Sequence, residues 1–141
     1  MTAIPRYRPH RGPAVLSAGF LPFFLGSALW SALAIPIWLV SFGGESTLPT
    51  SLSPAVWHVH EMVFGFGAAT VAGFLLTAIP NWTGRMPLQG GPLACLVILW
   101  LAGRVSALMS ARIGPDAAAF LDLALSARVP QRRRARDRRR A

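Results

Sequence analysis

Charge is scarce in this chain, and one basic residue type is missing altogether. Charged residues make up 13% of the 141, against about 25% in soluble domains. Five are acidic and none is lysine. All fourteen basic residues are therefore arginine, and eight of them fall between Arg128 and Arg140. Nucleic-acid binding calls for basic side chains spread over a folded face with aromatics among them, so a terminal block argues against that function despite the net charge of +9. A single cysteine, Cys95, excludes an internal disulfide and leaves the redox compartment open. Within the apolar run LACLVILWL it is expected to be a buried, inert thiol. The GxSxG, HExxH, CxxC and P-loop patterns are also missing, and no reaction follows from motif.

What the chain has instead is apolar length. Hydrophobic residues make up 53% of it and the mean hydropathy is +0.47, which places it in the membrane class. Residues 17–42 carry no charge and exceed the ~20 that a membrane span needs. Pro36 inside them predicts a kink that neighbouring helices can tolerate. Ser53 and Pro54 supply a cap and a first-turn proline for a second helix over 54–80. A loop over 81–91 leads to a third helix over 92–110, interrupted only by Arg104. Pro115 and Asp116 start a fourth segment, 115–127, too short to cross a bilayer. The expected fold is all-α: a polytopic transmembrane bundle of three full spans and a partial fourth, over 17–127.

Residues 1–16 hold Arg6, Arg8 and Arg11 ahead of an apolar stretch too long for a signal-peptide core. With this segment in the cytoplasm, twelve of the fourteen arginines lie inside, which the positive-inside rule favours. Residues 128–141 admit two readings. Either the tail is not native to the fold, the chain being a fragment of a longer protein, or it is a cytoplasmic tail gripping anionic lipid.

The second helix carries the chemistry. Trp57 to Met62 reads WHVHEM, and ionisable groups at membrane depth are unfavourable by several kcal/mol unless they face a helix interior or an aqueous cavity. In the topology above Glu61, Arg104 and Asp122 fall at one level near the outer face, about 9 Å deep for Glu61 at 1.5 Å per residue. A buried Glu61–Arg104 pair is expected, with Asp122 as an alternative acid. The competing reading is a packing clamp that neutralises itself. On a helical wheel His58, Glu61, Met62, Gly65, Ala69, Gly73 and Leu76 share one side, the small residues forming a close-approach ladder. His60 falls about 200° from His58 at 100° per residue, so one ion cannot easily be ligated by both imidazoles. Imidazole and thioether suit copper, and imidazole suits haem iron, so His58 and His60, with Met62, are candidate metal or haem positions. The plainer reading has both histidines at the headgroup level beside Trp57.

Three stretches, GFLPFFLGSALW, WHVHEMVFGFGAATVAGFLLTAIPNWTGR and the proline-led third segment, resemble the NnrS family over about residues 12–122. The resemblance implies a multi-pass protein of the bacterial inner membrane, containing haem and copper and linked to the response to nitric oxide. It points to His58, His60 and Glu61 as metal- or haem-associated positions and to Asn81, Trp82, Thr83 and Gly84 as a signature loop. Leu21 stands where the family pattern has an arginine. Further helices and histidines of the family are missing, so additional helices or oligomer partners are expected to be needed. Two alternatives remain at this stage: a transporter-like bundle using Glu61, Arg104 and Asp122 as an ion or proton relay, or a truncated, non-functional remnant.

Overall fold

Proline and glycine set the helix boundaries of this chain. The computed structural model describes residues 12–44 and 47–128; Arg6, Arg8, Arg11 and the arginine-rich tail with its expected lipid contact lie outside the described residues. After a short turn at Ala14–Leu16, helix α1 runs over Phe20–Phe42 and α2 over Pro54–Thr83. Helix α3 follows over Gly91–Leu108, the single turn α4 over Ser110–Ile113, and α5 over Pro115–Arg128. Pro54 and Pro92 sit at helix starts, where a missing N–H goes unused. Pro36 lies within α1. Gly84 and Gly114 take positive φ values of 63° and 89°, which a side chain would resist, and each separates two helices.

Three of these helices, α1, α2 and α3, are long and apolar enough to cross a membrane, with 23, 30 and 18 residues and mean hydropathies of 1.9, 2.0 and 1.7. The chain is a multi-pass membrane protein by that criterion, and α5, at 14 residues, falls short of a crossing. The inside–outside distribution fits the lipid setting. Leu29, Leu33, Val59, Val63, Ile98 and Phe120 point outward, while Glu61 and Arg104 are among the most buried large side chains.

Two differences from the sequence expectations concern α2. The helix does not stop at Pro80. It continues to Thr83, because the Thr83 hydroxyl donates to Ile79 O at 2.7 Å and Gly84 then turns the chain in the left-handed conformation. Asn81, Trp82 and Thr83 are therefore the last turn of a helix and not a signature loop; only Gly84 leaves it. The second difference is a π-helical stretch over Glu61–Gly67, seated between two α-helical stretches. Gly65 and Gly67 weaken the α-helical preference there, and the Trp100 indole N–H donates to Gly65 O at 3.1 Å.

Small residues let the helices close. A Cβ on Gly73 would meet the Phe23 Cβ at 3.1 Å, and one on Gly65 would meet the Trp30 indole at 2.6 Å. Phe23, Ala69, Leu93 and Trp100 form the apolar core. At this end the Gln89 amide donates to Ser17 O at 2.6 Å, pinning the α2–α3 loop to the start of the chain's described part. At the opposite end Thr50 donates to Ala107 O at 3.0 Å and shares a hydrogen bond with Ser110 at 2.9 Å. Cys95 is exposed, contrary to expectation. An all-round apolar helix hides its buried side from sequence, since lipid and core are equally apolar.

Candidate functional site

Four ionisable side chains from three helices meet inside the bundle. Glu61 opens the π-helical stretch of α2, Arg104 lies in the last turns of α3, and Asp122 is midway along α5. Arg104 Nη1 donates to Glu61 Oε2 at 3.0 Å, and Arg104 Nη2 donates to Asp122 Oδ1. His60 closes the circuit. Its Nδ1 lies 3.1 Å from Glu61 Oε1 and its Nε2 lies 2.9 Å from Asp122 Oδ2. Each carboxylate thus offers one oxygen to arginine and the other to histidine.

The local backbone explains the closure. Glu61 Oε2 takes a further hydrogen bond from the Trp30 indole of α1 at 2.8 Å. Trp30 reaches it because Gly65, one turn on, has no side chain in the way. Gly103 does the same for α5: a Cβ there would meet Asp122 Oδ1 at 2.9 Å and its Cα at 3.3 Å. Side-chain exposure is 0% for Glu61, 2% for Arg104 and 7% for Asp122, but 22% for His60. Among the described residues Arg104 Nε has no hydrogen-bond partner and is buried. Charges this deep are stable only when paired and hydrogen-bonded, and removing one partner strands the others.

The structure therefore brings Glu61, Arg104 and Asp122 into contact, at the common level that their positions along three helices imply. It adds two residues that the sequence reading left out of the network. His60 was assigned to the far side of the helix by a 100° wheel, which ignores that a neighbour on the chain can reach across to a long side chain. Trp30 lies in the uncharged apolar run of the first span. Its signal was chemical, since a buried indole N–H seeks an acceptor.

The candidate metal positions do not come together as a set. His58 stacks on Trp38 with ring centroids 4.1 Å apart, and its Nδ1 is buried without a hydrogen-bond partner among the described residues. Both ring nitrogens of His60 lie within hydrogen-bond distance of carboxylate oxygens, of Glu61 and Asp122. Met62 is half-buried on the same helix. Among the described residues no group of three or more His, Cys, Asp or Glu side chains could hold a metal ion. The lone Nδ1 of His58 is no copper donor set, although a single imidazole can hold haem iron.

Comparison with known proteins bears on the chain as a whole. The family model described as NnrS protein matches residues 14–140. The match runs past Asp122, where the likeness read from motifs ends; tryptophan, histidine and proline signatures are concentrated upstream and say little about the later segment. No curated protein and no solved structure matches the chain.

Proposed function

We propose, from the premise that the chain belongs to the NnrS family, that it acts in the bacterial response to nitric oxide as a multi-pass protein of the inner membrane with its N-terminus in the cytoplasm. Its own chemical contribution is the buried ring of His60, Glu61, Arg104 and Asp122. Family membership carries the physiological part of this reading; the observation that carries the ring as working centre is its closure by side chains from α2, α3 and α5, three of them 7% exposed or less. Such a circuit is expensive to bury and is seldom present in a span without a purpose. It locks three helices in one register and places a fixed, strongly polar centre inside an otherwise apolar bundle. Arginine is suited to this, since its planar fork engages two carboxylates at once.

Growth under nitric oxide tests the proposal. A strain lacking its own NnrS-family gene should be protected by the wild-type chain and left sensitive by Arg104→Ala. Equal growth with wild type and empty vector, with the wild-type chain detected in the membrane fraction, would overturn the functional reading. The role given to His60 is tested separately. Purified protein with a Soret band or bound copper that disappears in His60→Ala would show that this imidazole serves a metal and not the ring.

A further inference from the structure

Helix α2 keeps one face where a regular α-helix could not. Trp57, Glu61, Gly65, Ala69 and Gly73 are buried at strict four-residue spacing. With 3.6 residues per turn an α-helix drifts by about 40° at each such step, so between Glu61 and Gly73 the face would turn away by about 120°. Yet both ends of that interval meet α1. The Trp30 indole donates to Glu61 Oε2 at 2.8 Å, and a Cβ on Gly73 would lie 3.1 Å from Phe23 and Phe24. The π-helical stretch over Glu61–Gly67 absorbs the drift. The Ala68 N–H bonds to Val63 O, five residues back, so the stretch holds about one residue more than α-helical winding would.

We infer that α2 is a two-register helix and that the Trp100 indole is the latch that selects the register seen. The π register turns Glu61 and Gly73 to the same side and closes the ring. Relaxation to a continuous α-helix turns Pro54–Glu61 by about 100° against Ala68–Thr83 and carries His60 and Glu61 away from Arg104 and Asp122. The inference rests on the reading of the ring as this chain's working centre and adds the device that opens it. The latch comes from outside the helix: the Trp100 N–H donates to Gly65 O at 3.1 Å, within the stretch itself. Its ring is buried and seated on Gly26 of α1, where a Cβ would meet it at 3.1 Å. Gly65 and Gly67 make the stretch easy to rewind, having no side chain to restrict the backbone. Arg104 lies one turn along α3 from Trp100. A shift of α3 therefore withdraws the latch and the arginine together, which couples the winding of α2 to the position of its neighbour.

Changing the residue count of the stretch tests this, read in the full chain in bilayers as the NMR dipolar coupling between the Arg104 guanidinium nitrogens and the Glu61 carboxyl carbon. Val63 lies within the stretch and points outward. Deleting it removes the extra residue, so a plain α-helix then presents both halves correctly and the coupling should survive. One alanine inserted after Val63 should abolish it. With both chains in the membrane, survival in both or loss in both would overturn the inference. Should the deletion insert poorly, Trp100→Phe keeps an aromatic ring and removes the N–H. Spin labels at Val59 and Val105, both outward, report the turn of α2 against α3 in a Cys95→Ala background. The ratio of α to π register should rise about tenfold, the equivalent of one hydrogen bond, and an unchanged distance distribution would also overturn the inference. Absence of the coupling in the wild type would instead fault the ring. Neither readout depends on growth under nitric oxide, so failure of the functional reading is distinguishable.

Discussion

At the end of the bundle where α1 and α3 begin, Phe23, Ala69, Leu93 and Trp100 pack without a charge among them. Toward the end where α2 begins, the contacts are ionic: His60, Glu61, Arg104 and Asp122, with Trp30 donating from α1. The difference follows from what lipid can and cannot do. Between apolar helices in a bilayer the hydrophobic effect gives little preference for packing over lipid, so the first end relies on close backbone approach at small residues. The second relies on groups that lipid cannot solvate at all, which makes its pairing far more exclusive. One end sets proximity and the other sets register.

Substitutions at the two ends should therefore differ in size. Arg104→Ala leaves two carboxylates facing each other in the interior and is expected to destabilise the bundle by about 4 kcal/mol, read by reversible unfolding in bicelles. An effect under ~1 kcal/mol would mean that the ionic end is not the stronger clamp. Trp30→Phe keeps the aromatic bulk but removes the hydrogen bond to a buried charged group, for an expected loss of about 2 kcal/mol by the same method. At the apolar end Gly73→Ala forces a methyl to within 3.1 Å of Phe23 and Phe24. A loss of about 1 kcal/mol is expected there, because the Phe24 ring is exposed and can move aside. Cys95→Ala, on the outward face of α3, should change stability by less than ~0.5 kcal/mol, whereas a loss of several would return the thiol to the core.

These residues also show what was legible in the sequence. The spans could be read because length and uncharged composition are properties of a segment alone. Glu61, Arg104 and Asp122 could be placed at one level because depth in a helix is a simple count of residues. His60 could not be placed with them, since its partner on α5 is sixty-two residues away and the wheel sees only its own helix. The π-helical stretch was equally hidden, being stabilised by the Trp100 indole from another element. Cys95 was misjudged because hydropathy does not separate a side chain facing lipid from one facing the core.

The most direct measurement of the account is the distance from the Arg104 guanidinium nitrogens to the carboxyl carbons of Glu61 and Asp122, by solid-state NMR of the isotope-labelled chain in bilayers. Direct dipolar couplings to both carboxyls are predicted, with both lost in Arg104→Ala. Coupling to one carboxyl only, or to neither, would contradict the closed ring.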